Sequence, residues 1–232
     1  MVLAIGQPSA RGPAMAPSEI LGAAASADNQ ALQGKVYVAL GDSISAGRFA
    51  TAPNDTFPAL VAEKLGMNLD LVARSGARAG WGITELNVVA AAHPALVTIE
   101  LGTNDAGFFT PADLFAAQYE SIVSRVSGPH TRVICIGSWL PAAGVDAIIA
   151  QTCQRHDAIY VSLEGFYGVN DFHALDGGSS YLGRTDWFHP GDQGHAAIAA
   201  AVVSALGAGP PPVVGPLPPA PRIPDVIRTH PH

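Results

Sequence analysis

Apolar and polar positions along the chain switch repeatedly between two periods. Lys35-Val-Tyr-Val-Ala-Leu40 is a short apolar run closed by Gly41, the pattern of a strand covered on both faces. Phe57, Leu60, Val61 and Leu65 then recur at helical spacing up to Gly66. The exchange repeats down the chain. Further strands are expected at 67–72, 95–101, 131–136 and 158–163, and further helices at 83–92, 111–126, 145–155 and 192–206. Pro94 stops the helix at 83–92, and Gly207 stops the last one. Thr110 as cap and Pro111 as first residue open the helix between them. Strands apolar on both faces, alternating with helices, imply a parallel sheet between helix layers. Right-handed crossovers leave few topologies. The expectation is one α/β domain over residues 35–207, a three-layer α/β/α sandwich with a five-stranded parallel sheet in flavodoxin-like order.

The flanks differ from this core. Residues 1–34 are rich in Gly, Ala, Ser and Pro without a period, and residues 208–232 are Pro-rich. Both read as tails, the second an extended polyproline-like segment. That segment could serve self-association or contact with a partner. Met1 to Ile5 is too short for the apolar part of a secretory signal, and no basic residue precedes it. The compartment, cytoplasmic or secreted, therefore stays open. No apolar run approaches the roughly 18 residues of a membrane span.

Composition narrows the function classes. Only 13% of the 232 residues are charged, 48% are hydrophobic, and the net charge is −7. An acidic chain without a Lys/Arg stripe is a poor match for nucleic acid. Two cysteines exclude a disulfide scaffold. Cys135 falls on a strand and Cys153 on a helix, and a bond between them is conceivable only in an oxidising compartment.

In open α/β sheets, chemistry collects at the carboxyl ends of the strands. Four segments lie there: Gly41-Asp42-Ser43 after the first strand, Arg74-Ser75-Gly76 after the second, Gly102-Thr103-Asn104-Asp105 after the third, and Asp186-Trp187-Phe188-His189 before the last helix. Each alone is an ordinary turn or helix start. Together they supply a serine, a base three residues from a carboxylate, and a side-chain amide. A serine hydroxyl is a weak nucleophile until a neighbouring base takes its proton. Ser43, His189 and Asp186 are thus the candidate catalytic residues, with the carboxylate fixing the imidazole tautomer. Asp42 is expected to support the serine loop, and Asp105 either to support the third segment or to cap a helix. His195, inside the last helix, reads as structural.

These four blocks, in this order over about Lys35 to Gly207, resemble the SGNH hydrolases, also called the GDSL esterase/lipase family. The Gly-x-Ser-x-Gly elbow of the other large serine-esterase fold is absent. The resemblance implies the flavodoxin-like SGNH hydrolase fold and an oxyanion hole made by the backbone N–H of Ser43, the backbone N–H of Gly76 and the amide of Asn104. It implies cleavage of carboxylic esters on small molecules through an acyl-enzyme, with no metal or organic cofactor. Short acyl or acetyl esters are the expected substrates. A thioesterase or lysophospholipase using the same triad is the alternative, and a non-catalytic binding module using the Pro-rich tail is a third reading. Two details depart from the family pattern: Ala73-Arg74-Ser75 precedes Gly76 where an asparagine is common, and Ile44 stands in place of leucine. Phe108, Phe109, Trp139 and Trp187 are the candidate substrate-binding side chains. Phe166, Tyr167, Phe172 and Tyr181 occupy a connection that either covers substrate or folds on its own cluster.

Overall fold

The computed structural model describes residues 30–208. The expectations for 1–34 and 208–232 therefore lie outside the described residues, apart from 30–34 and 208. Leu32 is already buried in the core, so the packed domain begins upstream of residue 35.

Five strands form the central sheet: β1 (Val36–Gly41), β2 (Asn68–Ala73), β3 (Leu96–Glu100), β4 (Arg132–Ile136) and β5 (Ile159–Val161). All neighbours pair in parallel, in the order β2-β1-β3-β4-β5. This is the flavodoxin-like order expected from the alternation. The helices are α1 (Phe57–Leu65), α2 (Ala79–Thr84), α3 (Leu86–Ala91), α4 (Thr103–Gly107), α5 (Ala112–Val126), α6 (Ala143–Arg155) and α7 (Asp192–Ala208). Two-residue strands β6 (Ser179–Ser180) and β7 (Gly183–Arg184) form a small antiparallel ladder in the long connection before α7.

The side-chain period of two divides the core into two layers. Tyr37, Ala39, Leu96, Ile134 and Ile136 face one side and meet Phe57, Val61 and Leu65 of α1 and Ile198, Val202 and Leu206 of α7. Val38, Leu40, Val97, Ile99, Val133 and Cys135 face the other and meet Phe115, Tyr119, Ile122 and Val123 of α5 and Ile149 and Cys153 of α6. Both cysteines are buried free thiols. α1 carries local signals at both ends. The Thr56 hydroxyl accepts from the N–H of Ala59, and Gly66 closes the helix in the left-handed region at φ 63°.

Four local expectations need correction. The helix expected at 83–92 begins at Ala79 and is broken at Glu85. Pro111 is the residue flanking α5, not its first, and no side chain caps that helix. Gly207 lies within α7 and does not stop it. Finally, β2 is an edge strand with exposed Asn68, Asp70 and Leu71, so it is not covered on both faces. Among the described residues no helix is long and apolar enough to cross a membrane.

Candidate active site

The carboxyl ends of three strands lie in register: Gly41 of β1 pairs with Ala73 of β2 and with Glu100 of β3. The loops leaving them carry Ser43, Gly76 and Asn104 to one edge of the sheet. Gly41 is required there. A Cβ at this position would lie 1.9 Å from Ser45 Oγ, so any side chain would push the serine loop off β3. The loop is a tight turn, closed by Ala46 N–H to Asp42 O and Arg48 N–H to Ser43 O.

The fourth segment arrives from the other side. Ala174 N–H donates to His189 O, and Phe49 N–H donates to Pro190 O. These bonds hold His189 over the serine. Ser43 Oγ lies 3.0 Å from His189 Nε2, and His189 Nδ1 lies 2.8 Å from Asp186 Oδ1. A carboxylate only accepts, so Nδ1 carries the proton and Nε2 is left to accept from the hydroxyl. Phe49 and Phe188 each present an edge-on ring contact at 5.1 Å and clamp the imidazole from two sides. Asp186 Oδ1 also accepts from the N–H groups of Phe188 and His189. Partial burial pushes the Asp186 pKa up, but the hydrogen bonds and charge of His189 and the bond from Phe188 outweigh it, and the carboxyl sits below its usual range.

Beneath the serine lie two buried acids. Asp42 Oδ1 accepts from Ile44 N–H at 2.9 Å, and Asp42 Oδ2 from Asn104 Nδ2 at 2.7 Å. Glu100 Oε2 accepts from Ser45 Oγ at 2.9 Å and from the N–H groups of Ser45 and Asp42 at 3.2 and 3.3 Å. Burial raises Asp42 to about 6 against the hydrogen bonds from Ile44, Glu100 and Asn104 that lower it. Burial and then the charge of Asp42 push Glu100 well above a normal glutamate. Asp42 thus braces the serine loop, as the sequence suggested, and also orients Asn104. Sequence reasoning missed Glu100, although a lone acid at the end of an apolar strand is a visible signal.

Gly76 sits at φ +76°, a conformation that favours glycine. No atom lies within 4 Å of where its Cβ would be, so backbone conformation and not crowding selects glycine here. Among the described residues the N–H groups of Ser43 and Gly76 have no acceptor. Asn104 spends one amide hydrogen on Asp42 and keeps the other free. Asp105 Oδ2 accepts from Ala79 N–H at 3.0 Å, so it caps α2 from a distant loop.

The aromatic candidates part company. Trp139 is wholly buried, its indole N–H donating to Phe188 O at 2.6 Å, so it packs behind the histidine segment and lines no cleft. Phe108 and Phe109 stand exposed at the end of α4. Trp187 is half-exposed and stacks on His173 at 3.9 Å. Tyr167 and Phe172 fold on that aromatic cluster with Trp139 and Phe166. His195 is fully buried. Its Nδ1 accepts from Phe57 N–H, and its Nε2 donates to Arg48 O. Burial lowers its pKa to about 4, in line with a structural role. Among the described residues no group of three or more metal-ligating side chains comes together.

The sequence matches the GDSL-like Lipase/Acylhydrolase family over residues 39–197, more than half of the chain. No curated protein matches it. Several solved structures share the fold. TesA superposes with a TM-score of 0.63 at 22% identity, covering 74% of this chain and 98% of its own. The psychrotrophic esterase EstA from Pseudoalteromonas sp. gives 0.61 at 17%, covering 74% and 96%. A two-domain esterase active on acetylated mannans gives 0.62 at 19%, covering 87% of this chain and 57% of its own.

Proposed function

Because this chain belongs to the GDSL-like lipase/acylhydrolase family and is a carboxylic-ester hydrolase, we propose that it cleaves short-chain acyl or acetyl esters through an acyl-serine intermediate on Ser43. The observation that carries this reading is the relay from Ser43 Oγ to His189 Nε2 and from His189 Nδ1 to Asp186. Ser43 Oγ attacks the ester carbonyl carbon while His189 Nε2 takes the hydroxyl proton. The carbonyl π pair moves onto oxygen, where the N–H groups of Ser43 and Gly76 and the free amide hydrogen of Asn104 receive it. Collapse breaks the carbon–oxygen bond to the alcohol, which leaves with the proton from His189. Water then repeats the sequence on the acyl-enzyme: His189 takes its proton, the acid departs, and the proton returns to Ser43. Asp186 stays ionised and stabilises the imidazolium formed in each half. No step calls for a metal or organic cofactor.

The polar lining beside the oxyanion loop favours small acyl groups. Arg78, Thr84, Asp105 and Gln118 border the cavity next to Gly76 alongside Trp81 and Leu114, and a long alkyl chain there would desolvate the polar groups without offering hydrogen bonds. A fluorophosphonate probe should label the wild type and leave Ser43→Ala unlabelled. Rates on p-nitrophenyl esters should fall as the acyl chain lengthens. No labelling at neutral pH, or a preference for chains of about twelve carbons or more, would overturn the reading.

A further inference from the structure

The chain is acidic overall, yet three of its arginines gather around the Gly76 loop. Arg74 and Arg78 line a cavity of about 450 Å³ whose wall includes Gly76 itself, together with Trp81, Thr84, Leu114 and Gln118. Arg48, whose N–H closes the serine turn, reaches the Ser75 hydroxyl with its guanidinium at 3.5 Å. Its guanidinium also lies 5.0 Å above the ring of Phe49, the ring that clamps His189. Arg74 is laid over Trp81 at 5.0 Å and Arg78 over Phe108 at 5.9 Å. Such stacking holds a guanidinium in place while leaving its edge donors open.

Among the described residues none of the three forms an ion pair with a carboxylate. The Nε of Arg48 is buried and lacks an acceptor. Asp105 is the one acid lining the cavity. Its Oδ2 is taken by Ala79 N–H, its Oδ1 is buried without a hydrogen-bond partner, and the charge of Arg78 acts on it. Within the cavity two positive charges, Arg74 and Arg78, face the one negative charge of Asp105. The two departures from the family pattern noted above fall partly here, where Arg74 and Ser75 precede Gly76.

We propose that this cavity and its arginines bind a carboxylate carried by the ester substrate, so that the preferred substrates are short esters bearing a free carboxylate on the acyl or the alcohol side. The inference rests on the ester-hydrolase reading and names the substrate class of that site. The carboxylate enters beside Gly76 and is received by the planar donor edges of Arg74 and Arg78, with Arg48 adding positive potential from its place beside Ser75.

Two matched pairs test it. Mono-p-nitrophenyl succinate and p-nitrophenyl butyrate differ by a carboxylate in place of a methyl on the acyl side. 4-Acetoxybenzoate and phenyl acetate differ by a carboxylate on the leaving group. The wild type is expected to favour the charged member of at least one pair by about tenfold in kcat/KM, as charge-assisted hydrogen bonds allow. That preference should shrink on going from about 20 mM to 500 mM salt, and should fall about tenfold in Arg74→Gln/Arg78→Gln. Where that variant melts early, Arg74→Lys/Arg78→Lys keeps the charge and removes the fork, and should lose part of the preference. Neutral esters hydrolysed with Ser43-dependent labelling but no preference for charge, or a preference that both variants retain, overturns this inference alone. Loss of labelling and of all four hydrolyses overturns the ester-hydrolase reading beneath it.

Discussion

Ser43 stands between two carboxylate stations that behave in opposite ways. Asp186 at the rim has a side chain 48% exposed, and its pKa is held below the usual range. Asp42 and Glu100 lie beneath the serine, wholly buried, with pKa values pushed upward. Donor number does not separate them, since Asp186 Oδ1 and Glu100 Oε2 each receive three. Water and like charge do. Asp186 is partly hydrated and faces an imidazole. Asp42 and Glu100 are dry and face each other, and two ionised carboxyls in such a place are costly. The rim station is therefore built as a permanent anion that stabilises charge during the reaction. The buried station is built to hold geometry, and burial and like charge push both of its acids towards the neutral form.

Breaking the rim station should strike activity and spare stability. Asp186→Asn keeps the shape but lets Nδ1 of His189 face an amide, so the imidazole loses both its fixed tautomer and its counter-charge. We expect kcat to fall by about 10⁴, with the melting temperature little changed because the side chain is half-exposed. Steady-state kinetics and a thermal melt on one sample check both halves. A small kcat effect would show that the relay works without an anion.

The buried station should show the reverse order. Glu100→Leu leaves the N–H and the hydroxyl of Ser45 without acceptors, while Asp42 N–H keeps its 3.2 Å bond to the backbone oxygen of residue 100. A loss of about 3 kcal/mol in unfolding free energy is expected, the scale of orphaned buried donors. Denaturant unfolding measures it. A variant as stable as wild type would mean that water or a rearranged loop replaces the carboxyl.

Asp42→Asn probes the link between the stations. An asparagine can still accept from Ile44 N–H, but its own NH₂ then meets the amide of Asn104 donor to donor. Asn104 must turn, and one oxyanion donor is displaced. We expect kcat to fall by about 10² while KM moves less. A change confined to KM would detach Asn104 from the oxyanion.

How much of this was legible follows the range of each interaction. Sheet order was readable because alternation and crossover handedness are local and general. Ser43, Asp186 and His189 could be picked out because strand ends must converge, whereas Gly76 and Asn104 entered only through the resemblance to a family. The start of α2 was not readable, since Ala79 N–H is capped by Asp105 from 26 residues away. Trp139 misled because a residue following a strand can turn into the cleft or the core. Its indole bond to Phe188 O decides that, and no local pattern encodes it. Glu100 could have been singled out: an acid in Ala95 to Leu101 must find donors, and the nearest are in the serine loop. The arginines of the Gly76 loop were visible only as a departure from a pattern until the cavity placed two of them on one wall.

The finest discrimination between the stations comes from pH. With Asp42 raised to about 6 and Glu100 raised well above an ordinary glutamate, the folded chain holds protons that the unfolded chain has already released above about pH 4. When the folded state binds more protons, stability falls as pH rises. The contribution of this pair is therefore fully present below pH 4 and lost as pH climbs through 6 and beyond. Asp186 has the opposite sign, adding stability above pH 4 that disappears on acidification. Glu100→Gln mimics the protonated acid: its oxygen can accept from Ser45 and Asp42, and its NH₂ can donate to the Asp42 carboxylate. It removes one titrating group and the charge that acts on Asp42. The drop in melting temperature between pH 5 and pH 8 should therefore be smaller in Glu100→Gln than in wild type, with kcat near that of wild type at pH 6. Melting curves across that range, run in parallel, give the comparison directly. Superimposable pH profiles would mean that Glu100 is ionised in the folded protein across that range, and that at pH 8 the serine loop rests on two buried anions.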